Sequence, residues 1–388
     1  MRVCGIIAEY DPFHLGHRYH MERARELAGA DYVVVVLGCA FSQRGEAMLF
    51  ASHDRARMAL LSGADLVLGM PASFSCAQAN RFARGGVSIL NSLGAVTHLS
   101  FGCEPDGREY LSRTADLLHH PSLAFARTLK AGLKTGKSFA RAQGEALSAC
   151  LPDVPPAVFA NPNFILGISY LLELKRLRSP ICAMPVVRAG EYHAQSLSPL
   201  PSATAVRHAL SQGGWQGVRA SVPLESFFVI RDAVENGRLH QPHALDAWLI
   251  GTLNIGGEAS LQLSPEMSEG LERRVLAKAR HAKTREELLD LINTRRYTRS
   301  RVNRALSHAL LGLTQFPDRP AYARLLGFRR SAAPLLKRLK SASIPLVDRP
   351  GRGAPPGFFE EMRAEELWAL GAGKPMASAW RYPLIVID

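Results

Sequence analysis

Apolar runs alternate with mixed, helix-periodic stretches through the first half of the chain. Val3–Ala8 is an apolar run preceded by Arg2 and stopped by Glu9, which predicts a short buried strand. An Asp11-Pro12 turn follows, then a helical pattern over about 16–27. Ala30-Asp31-Tyr32-Val33-Val34-Val35-Val36-Leu37 is a continuous β-branched run, the mark of a strand covered on both faces of a parallel sheet. The unit is β-α-β by residue 37. A helix over 53–61, a buried strand within 63–71, a helix opening at Phe82 and a strand over 96–101 follow, then helical segments over 111–148 and 161–174 and a strand Met184–Arg188. Ser211-Gln212-Gly213-Gly214 punctuates the pattern, so the expected division is an α/β unit over 1–212 and a mostly helical one over 213–388. Tyr382-Pro-Leu-Ile-Val-Ile387 reads as a strand returning to a sheet.

Composition narrows the class. With 388 residues, 47% hydrophobic and 21% charged, the chain has the make-up of a globular protein with room for two domains. No apolar stretch approaches the roughly 18 residues of a membrane span, so a soluble, cytoplasmic protein with no membrane partner is expected. Six cysteines are scattered without a C-x-x-C pair, which points to neither a zinc site nor a disulfide framework. Residues 271–340 hold 18 Lys and Arg against 5 Asp and Glu, a surplus of 13 that equals the net charge of the whole chain. Such a concentration suits a nucleic-acid partner, and it suits a solvated helical surface as well. Within it, Arg296, Arg299, Arg301 and Arg304 around Tyr297 combine phosphate-binding cations with a ring that can stack on a base.

The chemistry-bearing stretch is Gly5–His20. A strand that turns directly into a helix presents free N–H groups and the positive end of a helix dipole at the sheet's carboxyl edge, which favours phosphate. In His14-Leu15-Gly16-His17 the two imidazoles sit about 60° apart on a helix, and Gly16 lets a ligand lie against the backbone between them. A lone H-x-x-H is more often a surface helix start. No cysteine or carboxylate nearby completes a metal set with these histidines. Farther on, Pro201-Ser202-Ala203-Thr204-Ala205-Val206-Arg207 opens another helix with two hydroxyls and an arginine, suited to phosphate, although Ser202 also serves as an N-cap. Asn163 stands at a helix start, where it can bond an adenine edge or the helix's own N–H groups.

These residues carry a resemblance. His14-Leu15-Gly16-His17 resembles the H-x-G-H signature of the nucleotidylyltransferase superfamily, and Ser202 to Arg207 its Ser-x-Thr-x-[Ile/Val]-Arg signature. The longer run Glu9-Tyr-Asp-Pro-Phe-His-Leu-Gly-His17 is similar to the tRNA(Met) cytidine acetate ligase family. Segments over 267–302 and 322–328 extend the likeness over nearly the whole chain. The resemblance implies a Rossmann-like, doubly wound parallel sheet. It also implies activation of acetate by ATP and acetylation of the wobble cytidine of elongator methionine tRNA. His14 and His17 would be catalytic. Ile7, Ala8, Glu9, Tyr10, Pro12, Phe13, Gly16, His20, Gly102, Asn163, Arg188, Ser202, Thr204 and Arg207 would hold ATP, with Mg2+ accompanying the nucleotide and no protein ligand assigned to it. The tRNA would meet Arg296, Tyr297, Arg299, Arg301 and Arg304.

Gly38-Cys39-Ala40-Phe41-Ser42-Gln43-Arg44-Gly45 departs from the family's Ser-Gly-Asn-Phe-x-Gln-Arg-Gly loop at Gly38 and Ala40, and Ser52 replaces a usual lysine. Gln43 and Arg44 remain as candidates for a phosphate or tRNA contact, and Arg44 reads equally as a surface charge. Two other readings stand beside this one: a nucleotidylyltransferase acting on a small phosphorylated metabolite, which leaves the basic half without a task, and a tRNA-binding protein with a degenerate site.

Overall fold

The N-terminal apolar run becomes the central strand of the molecule. In the computed structural model, which describes residues 1–187, 202–268, 270–292, 294, 297–349, 351 and 353–388, five parallel strands lie in the order β5-β4-β1-β2-β3. They are β1 (Val3–Ala8), β2 (Tyr32–Leu37), β3 (Leu66–Gly69), β4 (His98–Cys103) and β5 (Cys182–Val187). This is the expected doubly wound arrangement, and its order reverses between β1 and β4. Val33 to Leu37 have no exposed surface, as a β-branched run covered on both faces should. Alternate residues serve opposite faces: Val3 and Ile7 join one apolar cluster, Cys4 and Ile6 another.

Helices α1 (Leu15–Ala28), α2 (Ser52–Leu61), α3 (Ala79–Ser92), α4 (Pro162–Arg176) and α5 (Ala203–Ser211) follow in the first half. The Gly85-Gly86 pair lets α3 approach the sheet closely: a Cβ on Gly86 would lie 2.5 Å from Ile7.

Beyond 212 the chain is mostly helical, including α6 (Arg299–Leu311) and α7 (Phe358–Gly371), yet it returns to the same sheet. Strand β6 (Ala323–Arg329) pairs antiparallel with β3, and β7 (Leu346–Val347) and β8 (Ile385–Ile387) pair parallel with β6. The expected terminal strand is β8, whereas β6 falls where the sequence pattern suggested helical surroundings. A third apolar cluster joins the halves, with Cys39, Ala40 and Phe41 packed among Leu249, Val302, Trp368 and their neighbours.

The loop after β2 is clamped by the second half. The Gly45 carbonyl accepts from Ser307 Oγ (2.5 Å) and Arg285 Nη1 (3.0 Å), and Asn303 Nδ2 donates to the Arg44 carbonyl (3.1 Å). Gly45 has φ +83°, and a Cβ there would lie 2.5 Å from the Arg304 nitrogen, so this contact requires glycine.

His308 is a second tie. Its Nδ1 meets Ser264 Oγ at 2.7 Å and its Nε2 meets the Cys76 carbonyl at 2.6 Å. A carbonyl only accepts, so Nε2 carries the proton and Nδ1 accepts from the hydroxyl. Burial lowers the pKa from 6.5 to about 4. Between those values the unfolded chain binds the proton that the folded one refuses, so acid favours unfolding at about 1.4 kcal/mol per pH unit from this group. Above the unfolded value the group has no effect on the pH dependence. Urea midpoints should therefore fall between pH 6.5 and 4, and His308→Gln should show a shallower fall; equal slopes would contradict this account.

Candidate active site

The turn from β1 into α1 is built from side-chain-to-backbone bonds. His14 is the N-cap of α1, and its Nδ1 accepts from the Gly16 N–H at 3.1 Å. His17 reaches back, and its Nδ1 accepts the His14 N–H at 3.3 Å. The rings stack at 3.6 Å between centroids. With both Nδ1 atoms accepting, each neutral ring carries its proton on Nε2, so the arrangement fixes two imidazoles as Nε2–H donors. Tyr10 holds a left-handed φ of 52°, a strained conformation for a bulky residue, and its ring packs on Phe13 and His17 at 4.8 and 4.7 Å.

Asp11 ties three segments together. Its Oδ2 accepts from the Leu49 N–H (2.9 Å) and Oδ1 from the Phe50 N–H (3.0 Å). Its carbonyl accepts from Arg207 Nη1 at 2.6 Å, and the same guanidinium stands 3.8 Å from the Asp11 carboxylate. The start of α5 is thereby brought to the start of α1. Ser202 caps α5, with Oγ accepting from the Ala205 N–H at 3.1 Å, and Thr204 Oγ1 accepts from Arg207 Nη2 at 3.4 Å.

A cleft of about 550 Å³ opens where these helix starts meet the carboxyl ends of β1, β4 and β5, at the point of strand-order reversal. Of the residues predicted for ATP and catalysis, Ile7, Ala8, Glu9, Tyr10, His14, Gly16, His17, His20, Gly102, Asn163, Ser202, Thr204 and Arg207 line it. Pro12 and Phe13 are buried behind the wall and shape the turn instead. Arg188 lies outside the described residues.

His20 Nε2 shares a 3.0 Å hydrogen bond with Ser100 of β4. The helix-cap alternative for Asn163 falls to its neighbour: Asn161 Oδ1 accepts from the Asn163 and Phe164 N–H groups, while Asn163 Nδ2 donates to Glu104 Oε1 at 2.6 Å. The Asn163 amide is thus held at the cleft wall by a carboxylate.

Gln43 and Arg44 line the cleft as well, and so do Asp11, Tyr19 and His240, which the sequence pattern did not single out. His240 comes from beyond 212, and burial lowers its pKa to about 4, so its ring is neutral. Among the described residues no group of three or more His, Cys, Asp and Glu side chains is placed to hold a metal ion. Imidazole donors, hydroxyls, a guanidinium and two helix N-termini suit anionic phosphate oxygens rather than a hard cation.

The departures from the family pattern have structural consequences. Ser52 is buried and donates to Glu365 Oε1 at 2.5 Å, so position 52 faces the interface between the halves. Ala40 has no exposed surface and belongs to the shared apolar cluster. Gly38 stands beside Glu9: a Cβ there would lie 3.6 Å from Glu9 Cγ.

The basic segment is more committed internally than its charge suggested. Tyr297 is 6% exposed and belongs to the apolar core, so its ring presents no free face for a base in this structure. Arg304 is buried and forms a 2.8 Å ion pair with Glu266. These two placements correct the surface role expected for them. Arg299 is exposed and pairs with Asp290 (2.9 Å) and Glu286. Arg301 donates to the Glu266 carbonyl (3.0 Å) and Ser268 Oγ (2.6 Å), and its guanidinium lies over Tyr297. Arg296 lies outside the described residues.

Comparison with known proteins adds the family. The HIGH Nucleotidyl Transferase family model matches residues 1–377. The tRNA(Met) cytidine acetate ligase of Acetivibrio thermocellus is 35% identical over 370 residues, covering 89% of this chain and 88% of that one. Its namesake in Thermosipho africanus is 32% identical, covering 90% and 85%. The chain belongs to the tRNA(Met) cytidine acetate ligase family. Among solved structures it is similar to Thermotoga maritima TmcAL bound with alpha-thio ATP, with a TM-score of 0.89, 26% identity and 100% of both chains covered. The apo form of that protein gives a TM-score of 0.90 at 27% identity, again over 100% of both chains. Membership of this family accounts for the H-x-G-H turn at the start of α1. No helix among the described residues is long and apolar enough to cross a membrane.

Proposed function

We propose that this protein is an ATP-dependent ligase that activates acetate as acetyl-AMP and transfers the acetyl group to N4 of the wobble cytidine of elongator tRNA(Met). The observation that carries the reading is the pairing of two Nε2–H imidazoles with a second helix start, held together by the Arg207–Asp11 contact, on one cleft at the strand-order reversal. In the first step the acetate carboxylate attacks the α-phosphorus and pyrophosphate leaves. His14 and His17 donate to the oxygens that gain charge, while Ser202, Thr204, Arg207 and the two helix N-termini orient the phosphates. Gly102 and Asn163 border the nucleoside side. Mg2+ would enter with the phosphates of ATP, supplying charge neutralisation there. The division of labour at residue 212 is part of the proposal, with ATP held before it and tRNA met mainly after it.

The test is direct. Incubation with ATP, labelled acetate and tRNA should release pyrophosphate and AMP, and the acceptor nucleoside should gain the mass of one acetyl group. An adenylylated small molecule together with unmodified tRNA would decide instead for a metabolite nucleotidylyltransferase. Because the surplus charge lies in 271–340, tRNA affinity should also fall steeply with salt, with a log–log slope of about −0.7 to −0.9 per phosphate neutralised. A flat salt response would remove the basic half from this role.

A further inference from the structure

We propose that Glu9 is the proton acceptor for the attacking amine in the acetyl-transfer step. This inference rests on the reaction proposed above and assigns a residue to its second half.

Three carboxylates line the cleft among the described residues: Glu9, Asp11 and Glu46. Both oxygens of Asp11 receive backbone N–H groups and its carboxylate faces Arg207, so it acts as a brace. Glu46 is exposed. Glu9 stands at the carboxyl end of β1 and is pinned at both ends. Its Oε1 accepts from the Gln43 N–H at 2.7 Å, and its carbonyl accepts from Arg55 Nη1 at 2.6 Å. A carboxylate is repelled by a polyphosphate, so a pinned one on this wall needs a different counterpart.

The chemistry supplies one. Acetate reacts with ATP as an anion and has no proton to lose, so activation requires no base. When cytidine N4 attacks the acetyl carbonyl carbon, the C–N bond forms and N4 becomes cationic. The acyl C–O bond to phosphate then breaks, AMP leaves with the electron pair, and one N4 proton must go. A carboxylate accepts that proton and later releases it to solvent.

The charged and titratable groups facing Glu9 are Arg55 from α2, Asp11 from the turn, Arg44 from the clamped loop and Tyr170 from α4. Burial raises the carboxyl above its ordinary range, with the Gln43 N–H, Arg55 and Arg44 opposing and Asp11 adding to the rise. Such a group is a better base at neutral pH than a solvated carboxylate.

The experiment separates the two halves on the full-length protein. Acetate-dependent pyrophosphate release reports activation, and single-turnover appearance of acetylated nucleoside reports transfer. In the wild type, single-turnover transfer from acetyl-AMP should show an acid limb of its own, separate from the limb that protonation of acetate gives activation. Glu9→Gln keeps an oxygen to accept the Gln43 N–H but loses the basicity. Transfer should then fall by about a hundredfold or more beyond any change in activation, with acetyl-AMP accumulating and the acid limb abolished. Equal losses in both halves would make Glu9 a binding residue, and an unchanged limb would also overturn the proposal. The wild-type comparison stands even if the variant fails to fold. A wild type that releases no pyrophosphate with acetate would sink the reaction itself and this assignment with it, a result distinct from failure of the variant alone.

Discussion

Replacing His17 with alanine should slow pyrophosphate release by about a hundred- to a thousandfold while ATP affinity changes far less, because its Nε2–H acts on charge that appears only as the α-phosphate is attacked. His17 has a second duty, however. Its Nδ1 accepts the His14 N–H, and losing a helix-cap acceptor typically costs about 0.5–2 kcal/mol. Alanine removes both functions, so two further variants separate them. His17→Asn places an oxygen near the position of Nδ1 and should recover stability without recovering rate. His17→Gln reaches toward the Nε2 position with an N–H and should recover part of the rate. Steady-state turnover, ATP titration calorimetry and thermal unfolding on all three variants give the comparison. Near-normal turnover in His17→Asn would reduce this imidazole to a capping residue.

That double role shows which parts of the site were legible in the sequence. The spacing of His14 and His17 placed both rings at a helix start, and the apolar run before them gave β1 with the bounds Val3–Ala8 that it has in the structure. The tautomers were not legible, since they depend on which backbone N–H each ring meets. Asp11 was visible only as a turn residue, because its partners are main-chain groups at 49 and 50 and an arginine nearly two hundred positions away.

Strand β6 escaped for a similar reason. Ala-Arg-Leu-Leu-Gly-Phe-Arg lacks clean alternation, and its second residue, Arg324, is of a type mostly found exposed. It is buried instead beside Glu361 and Glu365 of α7, at 3.5 and 3.6 Å, a compensation visible only once α7 is folded over the sheet edge. Tyr297 and Arg304 failed as surface residues on the same ground. Residue type announces what a side chain can do, and burial decides whether it is available.

The largest structural effect is expected at Arg55, which has no exposed surface. Its Nε donates to the Phe50 carbonyl (3.1 Å), Nη1 to the carbonyls of Glu9 (2.6 Å) and Gly38 (3.1 Å), and Nη2 to the Cys39 carbonyl (2.7 Å) and Ser52 Oγ (3.1 Å). The guanidinium therefore fastens the carboxyl end of β1 to the loop that leaves β2 and to the start of α2. Only a planar fork of five donors serves these acceptors together.

Lysine has three donors around a single point, so Arg55→Lys leaves carbonyls buried without partners. Arg55→Met leaves all of them so. Truncating a buried, charge-assisted network of this kind is expected to destabilise the fold by about 3–5 kcal/mol, a large part of the stability of an ordinary domain. Urea unfolding should show the loss in Arg55→Met and a smaller one in Arg55→Lys. Because Glu9 and the loop carrying Gln43 hang from the same guanidinium, ATP-dependent activity should fall in both variants even at temperatures where they remain folded. A fully stable Arg55→Met variant would mean that water satisfies these carbonyls, and that the geometry of Glu9 is set by the Gln43 N–H alone.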